Sequence, residues 1–415
     1  MTSSNSYNVN LRLHPNYKRV LDKAQQSHEQ NRNPEGIGAD DIALARLYSY
    51  ALRLHTIGAF HATRLAISER PSQGAASDAY RLRASEALED LGNQSMEPIP
   101  NDFRAVVINF YRYHRGIVRV IDSLNRDAPL NSDAEIVQIG QRFRNIMEEI
   151  TSECGIHLTQ DTHAPEQASF VVPNLGIIIV PLVYGEHHSW NLAYLSGDHR
   201  DVPTHRHYHG VEIHLGYNPT HGLTVLGECR ADVDEGYAMP IPPETDHGWV
   251  NTSDQAHHVP FIFGSLKHGG WGVYLDVEAQ SGSVEDLRLV PRDSAAFGQM
   301  IYLEREIDNA ARMVSRFRKT LIPHSVTNRS GSGGLELNLT RVNPSGFSFP
   351  LDDFRAVSIA RGCGRLHIAG VERDVNSHDH FGIPAEMNAT IHQIGNEPLV
   401  VLDSMIKGYG SGRSF

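Results

Sequence analysis

The sequence predicts an α+β fold, in which a helical N-terminal domain is followed by antiparallel β-structure. Before about residue 155, apolar residues recur at the spacing of helix faces. From residue 168 the pattern changes to short β-branched and aromatic segments about every ten residues, separated by Gly, Pro and Asn. That spacing suits an antiparallel barrel or sandwich. At 415 residues, the chain is long enough for two or three domains.

The N-terminal domain, residues 1–155, is expected to contain about four amphipathic helices on short loops, as in a helical bundle. Asp40 is the expected N-cap of the first helix, which stops before Pro71. Ser132 and Glu135 form a capping box at the start of the last. The four predicted helices cover residues 40–70, 77–92, 101–124 and 132–150.

The composition favours a small molecule as the binding partner. Lys and Arg total 37 against 49 Asp and Glu, and the net charge of −12 argues against nucleic acid and anionic membranes. The sequence contains no apolar run of about 18 residues and no apolar segment typical of a signal peptide near its start. Three cysteines without CxxC spacing fit the cytoplasm and exclude a thiolate zinc site.

Residues 204–217, THRHYHGVEIHLGY, hold four histidines and one glutamate. His205 and His207 are predicted on one side of a strand, because side chains alternate along it. Glu212 starts the next strand and can face the same interior. Downstream, residues 236–251 read GYAMPIPPETDHGWVN.

These two segments resemble the motifs of the cupin superfamily, G-x5-H-x-H-x(3,4)-E-x6-G and G-x5-P-x-G-x2-H-x3-N. The resemblance implies a jelly-roll-like β-barrel with four metal ligands: His205, His207, Glu212 and His247. The second motif also matches at Gly236, Pro242 and Asn251. The departures concern glycines, since Glu244 replaces one, Gly197 comes two residues early and Gly222 comes late.

Three imidazoles and a carboxylate suit one divalent transition metal: iron, manganese, nickel, zinc or copper. The resemblance favours Fe(II) among them. Three neutral donors and one anion would leave the site a net charge of about +1, with two open positions on an octahedral ion. The competing interpretation is a set of surface histidines in a polar loop.

Three further residues are candidates for catalysis. His214 shares the parity of Glu212 along the strand and is predicted to point inward, as a proton carrier or a partner of the ligands. A core histidine bonded to backbone is the alternative. Lys267 and His268 follow a strand and can reach the barrel mouth to meet an anionic group, unless they lie in a solvated loop.

A repeat predicts a second barrel without a metal. Residues 241–251, IPPETDHGWVN, share Ile, Pro and Glu in register with residues 383–393, IPAEMNATIHQ. The expected domains are a metal-binding barrel at 165–285, a connecting helix at 290–325 and the second barrel at 330–415. At the ligand positions the second barrel has Phe349, Leu351, Arg355 and Ala389.

The resemblance implies a metalloenzyme that acts on a small, polar, oxygen-bearing substrate, with an iron-type oxygenase favoured over a non-redox lyase or isomerase. A non-catalytic ligand-binding protein with two barrels is an alternative of another class. A transcription regulator is disfavoured, because residues 1–150 show no compact basic recognition helix. The helical domain and the second barrel are candidate surfaces for a homodimer.

Overall fold

The helices and strands fall into two compact units, helices α1–α4 in one and strands β2–β21 in the other. No described helix combines the length and the apolar character that crossing a membrane requires. The computed structural model describes residues 11–31, 36–68, 75–96, 99, 103–126, 144, 170–172, 177–195, 201–216, 222–233, 236–252, 257–271, 273, 276–280, 282–298, 300–328 and 333–407.

The helical unit packs around its last described helix, α4, which contacts the other three. Tyr17 lies in its core, with ring centroids 4.7 Å from Tyr48 and 5.2 Å from Phe110. Its Oη lies 2.7 Å from Nδ1 of His114, so the buried hydroxyl has a polar partner. The helices are α1 (Pro15–Gln30), α2 (Ala39–Ser68), α3 (Ala75–Met96) and α4 (Phe103–Arg126).

Helix α1 was not expected from the sequence, although Pro15 at its start and a buried face of Tyr17, Val20, Leu21 and Ala24 are typical helix signals. The prediction of Asp40 as an N-cap is wrong. Helix α2 begins at Ala39, and Asp40 lies in its first turn, where a carboxylate complements the helix dipole. The helix predicted at 132–150 falls outside the described residues, apart from residue 144.

The first barrel consists of two six-stranded sheets, in the orders β1-β2-β3-β10-β5-β8 and β11-β4-β9-β6-β7-β12. The strand pairs are antiparallel, except that β12 runs parallel to β7. Its strands are β1 (Phe170–Val172), β2 (Ile177–Tyr184), β3 (His188–Leu195), β4 (Asp201–Arg206), β5 (Val211–Leu215), β6 (Gly222–Leu226), β7 (Cys229–Val233), β8 (Ala238–Ile241), β9 (His247–Asn251), β10 (His257–Gly264), β11 (Glu278–Ala279) and β12 (Arg288–Leu289).

The second barrel repeats the two-sheet arrangement, with the orders β13-β14-β21-β16-β19 and β15-β20-β17-β18. Nearly every residue of β14 and β21 is buried, which explains their continuous apolar character. The strands are β13 (Phe317–Ile322), β14 (Gly334–Val342), β15 (Phe347–Ser348), β16 (Arg355–Arg361), β17 (Cys363–Ile368), β18 (Val371–Asn376), β19 (His380–Ile383), β20 (Ala389–Ile394) and β21 (Leu399–Lys407).

The connecting segment differs from the single long helix predicted within 290–325. It contains a short 3-10 turn at Ala295–Phe297, helix α5 (Leu303–Arg312), and then strand β13. A one-turn helix, α6 (His324–Thr327), leads into β14. The apolar periodicity of residues 303–312 is truly helical, but Phe317–Ile322 pairs with β14, and that pairing overrides the local pattern.

The two barrels are equivalent at the positions that the repeat predicts. Glu212 lies opposite Ile241, and Arg355 lies opposite Ile383 in the same way. The backbone N–H of Glu244 donates to the carbonyl of His207 at 2.7 Å, and Glu386 donates to Leu351 at 2.9 Å.

Both glutamates also have a left-handed backbone, with φ of 61° at Glu244 and 62° at Glu386. Such a conformation favours glycine. It therefore explains why the cupin motif has glycine at the position of Glu244. The same strained turn occurs in both barrels, which is further structural support for the repeat.

Candidate metal centre

Strands from both sheets of the first barrel bring the four motif residues together. His205 on β4 and His247 on β9 are direct partners across neighbouring strands. Glu212 lies on β5 in the other sheet, and His207 lies just beyond the end of β4. The four side chains therefore meet between the sheets, in the interior of the barrel.

The potential ligand atoms of these four residues all lie within 4.8 Å of one another, and all four residues are buried. Oε2 of Glu212 is 2.5 Å from Nε2 of His247 and 3.6 Å from Nε2 of His207. The rings of His205 and His247 have centroids 4.2 Å apart. The alternative of surface histidines in a polar loop does not fit this buried group.

The outer nitrogen of each histidine is bound to a backbone carbonyl. Nδ1 of His205 lies 2.8 Å from the oxygen of Pro203, Nδ1 of His207 lies 2.6 Å from that of Asp276, and Nδ1 of His247 lies 2.8 Å from that of Thr245. A carbonyl only accepts, so each Nδ1 carries the proton and donates it. In a neutral ring the Nε2 lone pair is then free for a metal.

The atoms that face the centre of the group have no hydrogen-bond partner of this kind. With Nδ1 of His247 protonated, the 2.5 Å contact between its Nε2 and Oε2 of Glu212 joins two acceptors and is not a hydrogen bond. Among the described residues, none donates to these two buried atoms or to the buried Nε2 of His207. Buried polar groups are normally satisfied, and leaving several unsatisfied in one place is costly. A bound cation explains the arrangement, because it would take these same lone pairs.

Burial favours the neutral form of His205 and His207, while the carboxylate of Glu212 stays ionised. Burial lowers the pKa of His205 well below its usual value, and the nearby rings of His247 and His207 lower it further. Burial likewise lowers the pKa of His207. For Glu212, burial alone raises the pKa, but the surrounding imidazole rings, foremost that of His247, outweigh it and the net shift is strongly downward. Three neutral nitrogen donors and one anionic oxygen fit a divalent transition metal.

The first barrel has the two-sheet architecture and the gathered side chains that its resemblance to the cupin motifs predicts. Its two facing sheets surround the complete group of candidate ligands, at the positions of the motifs. The second barrel has the same strand pairing but different side chains. Where the first has Glu212, it has Arg355, which donates to Asp403 at 2.8 Å and is almost fully buried.

His214 lies next to the ligands, as its parity predicts. Its Nε2 is 3.9 Å from Oε2 of Glu212, and its ring centroid is 5.3 Å from that of His247. Its Nδ1 is buried without a hydrogen bond to any described residue, which disfavours a histidine satisfied by backbone. Burial lowers the pKa of His214 to about 4, against the opposite effect of Glu212. The ring is therefore neutral near pH 7.

Lys267 and His268 lie in a different group. Nζ of Lys267 is 2.7 Å from Nε2 of His209, and the rings of His209 and His268 have centroids 5.6 Å apart. The carboxylate of Asp276 lies beside both histidines. His209 is two positions along the chain from the ligand His207, so this group adjoins the metal centre.

Asp276 is the functional residue that sequence reasoning missed. Its carbonyl orients His207, and its Oδ2 accepts the backbone N–H of His209 at 2.5 Å. It lies 69 residues beyond His207, in a segment without a recognisable motif. A hydrogen bond accepted by a backbone carbonyl has no sequence signature, so the pattern of residue types could not reveal it.

Comparison with known proteins finds distant structural likenesses. No protein-family model matches the chain, and no curated protein sequence matches it. It is similar to salicylate 1,2-dioxygenase from Pseudoaminobacter salicylatoxidans, solved as adducts with gentisate, at 13% identity and a TM-score of 0.42 over 54% of this chain and 72% of that one. It is also similar to a cupin 2 conserved barrel domain protein from Leptotrichia buccalis, at 11% identity and a TM-score of 0.37 over 56% and 89% of the two chains. The function proposed below rests on this chain's own residues.

Proposed function

We propose that this cupin is a metal-dependent enzyme acting on a small, polar, oxygen-bearing organic substrate, and that it is an iron-type oxygenase. One observation carries the proposal. Three histidines donate Nδ1–H to backbone carbonyls, and their remaining nitrogens and one carboxylate meet in a buried group. A barrel used for packing alone has no need of such costly buried polar side chains.

His205, His207, Glu212 and His247 would hold one divalent ion, Fe(II) first among the candidates. When bound, such an ion supplies Lewis acidity and, if it is iron, a template for dioxygen. Glu212 brings the single negative charge of the set. The carbonyls of Pro203, Thr245 and Asp276 keep the three rings in one tautomer, and thereby preorganise the site.

His214 is proposed as the proton carrier. It is neutral near pH 7, and it has one buried nitrogen without a hydrogen bond to the described residues. That nitrogen, Nδ1, can take a proton from a substrate hydroxyl or pass one on, while the other ring nitrogen, Nε2, lies 3.9 Å from Oε2 of Glu212. Its low pKa makes it a weak base, which suits a transient carrier rather than a permanent proton store.

Lys267 and His268 are proposed to meet an anionic group of the substrate. Lys267 is exposed, and it reaches the loop that carries both His207 and His209. An ammonium beside this loop favours carboxylates, so hydroxy and keto carboxylic acids are the substrates to test first. Of the two residues, Lys267 brings the permanent charge.

A non-redox lyase or isomerase is the second candidate, and His214 favours it. Such reactions need a group that moves a proton next to a metal-bound oxygen-bearing substrate, and His214 lies 3.9 Å from the ligand Glu212. They need no oxidant. The metal set itself suits zinc or nickel as well as iron.

Oxygen uptake by the iron-loaded protein separates the two candidates. The protein is loaded with Fe(II) without air, supplied with hydroxy and keto carboxylic acids in turn, and followed with an oxygen electrode. An oxygenase consumes oxygen only when its substrate is present. The His247→Ala variant is expected to consume no oxygen with or without substrate. Conversion of a substrate by zinc- or nickel-loaded protein, with no oxygen consumed, overturns the oxygenase assignment in favour of the lyase or isomerase.

A further inference from the structure

A second group of metal-binding side chains lies beside the metal centre. We call it the rim cluster, and it comprises His209, His268 and Asp276. One potential ligand atom from each of the three lies within 4.8 Å of the other two. Asp276 is buried, whereas both histidines are partly exposed. An ion from solvent can therefore reach this cluster without opening the barrel.

The composition of the rim cluster determines what it can bind. Two imidazoles and one carboxylate are a donor set that binds divalent transition metals and leaves several positions to water. With three donors in place of four, and with more exposure, the rim cluster is expected to bind such an ion more weakly than the central group. It should therefore fill only when free metal is present.

Lys267 is a competitor for this site. Its Nζ donates to Nε2 of His209 at 2.7 Å, so its positive charge lies at one of the two ring nitrogens of His209 that an ion could use. Lys267 is exposed and flexible, and it can turn into solvent when an ion enters. Its presence weakens binding and does not block it.

The rim cluster is connected to the central group through Asp276. The backbone carbonyl of this residue accepts Nδ1–H of His207 at 2.6 Å, and its Oδ2 accepts the backbone N–H of His209 at 2.5 Å. The same residue thus orients a ligand of the first group and contributes a carboxylate to the second. Binding at the rim would act directly on the segment that holds His207.

We infer that the rim cluster is a second, weaker site for a divalent transition metal ion. This inference goes beyond the proposed function, because it requires neither an oxygenase nor any catalytic role of the central group. It gives His268 a role as a ligand and makes Lys267 the group that tunes the affinity of the site.

Zinc binding at equilibrium tests the inference on the purified protein with its own metal in place. The protein is dialysed against micromolar Zn²⁺, and total bound metal is measured by elemental analysis. Wild-type protein is expected to hold two ions per chain, and His268→Ala one. His247→Ala, which removes a central ligand, is expected to hold one ion that a further His268→Ala change removes.

Two matched variants complete the test. Lys267→Ala should tighten zinc binding at the rim by about tenfold, because a unit charge a few ångströms from the ion is removed. His324→Ala removes a partly exposed histidine that lies 3.7 Å from a carboxylate in the second barrel, and it should leave two ions bound. Two results would overturn the rim site. The first is the same number of bound ions per chain in wild-type and His268→Ala protein. The second is one bound ion in wild-type protein and none in His247→Ala. Thermal unfolding of each variant shows whether it is folded.

Discussion

At the scale of single residues, the metal centre depends on hydrogen bonds that fix a tautomer. Each ligand histidine donates its Nδ1–H to a backbone carbonyl, either two residues earlier in the chain or in a distant segment. Its Nε2 then has a lone pair that can bind a metal. His214 is different, because its buried Nδ1 has no hydrogen bond to a described residue. This difference is the basis for proposing the three histidines as ligands and His214 as the proton carrier.

Replacement of His214 by Gln tests this separation. Gln cannot carry a proton between groups, so kcat should fall by at least about 100-fold, the usual scale of acid–base catalysis. The metal retained after gel filtration should not change, because His214 is not a ligand. His392→Gln, in the second barrel, is the matched control and should affect neither quantity. Loss of metal from His214→Gln would place this residue in the ligand set.

The left-handed backbone of Glu244 makes a second prediction. A non-glycine residue in this conformation destabilises the folded state by about 1–2 kcal/mol, and glycine removes that strain. Glycine also raises the entropy of the unfolded chain, which offsets about 0.5–1 kcal/mol of the gain. Glu244→Gly and Glu386→Gly should therefore each raise the free energy of unfolding by roughly 0.5–1 kcal/mol. Urea unfolding measures this change. Glu372→Gly, in strand β18, should instead lower stability, and equal effects at all three positions would contradict the strain argument.

At the scale of elements, the second barrel has a buried ion pair in its interior. Arg355 on β16 donates to Asp403 on β21 at 2.8 Å, and Arg318 on β13 donates to the same carboxylate. Asp403 is fully buried and Arg355 is 2% exposed. Three strands of one sheet are thus joined through a single carboxylate, in a barrel that has Arg355 where the first has a metal ligand.

Removal of Asp403 should destabilise this barrel strongly. Asp403→Ala removes the buried carboxylate that Arg355 shares with Arg318 and, among the described carboxylates, leaves Arg355 only its ion pair with Asp352. Breaking a buried pair costs about 3–5 kcal/mol. Asp374→Ala breaks the exposed pair with Arg365 and should cost no more than about 1 kcal/mol. Chemical denaturation of both variants gives the comparison. Equal losses would show that solvent reaches the Arg355–Asp403 pair.

The elements also show where prediction from sequence succeeds. The grouping of the four candidate ligands could be predicted because their spacing is local within each motif, and the strands that present them alternate with period two. Residues 317–322 were predicted to continue a helix, because the pairing with β14 that makes them a strand is not visible in their own pattern. The role of Asp276 depends on its backbone, so residue type alone could not indicate it.

At the scale of the whole molecule, the two barrels pack through buried histidines. Nε2 of His188 on β3 lies 3.1 Å from the carbonyl oxygen of Ser404 on β21, and the rings of Trp190 and His380 have centroids 5.5 Å apart. Burial lowers the pKa of His188 to about 3, and of His380 to about 3. Both rings are therefore neutral in the folded protein and lie between the two barrels.

These histidines make stability depend on pH. Unfolding returns their pKa to about 6.5, so the unfolded chain binds more protons. Their contribution is complete above about pH 6.5 and is lost as the pH falls from there towards 3, by about 1.4 kcal/mol per pH unit for each ring. His380→Phe keeps a ring beside Trp190 and should reduce this slope. Urea unfolding of metal-free protein between pH 7 and pH 5 measures how the free energy of unfolding changes with pH. Identical slopes in wild-type and His380→Phe protein would contradict the contribution of His380.

The metal content of purified protein tests the central claim most directly. Wild-type protein, passed through gel filtration to remove weakly bound ions, should retain about one transition metal ion per chain, and His247→Ala should retain none. Ala389→His adds an imidazole at the equivalent position of the second barrel, where Phe349, Leu351 and Arg355 offer it no partners, and should still retain one. Full retention by His247→Ala would show that the four residues gathered between the sheets are not the ones that bind the ion.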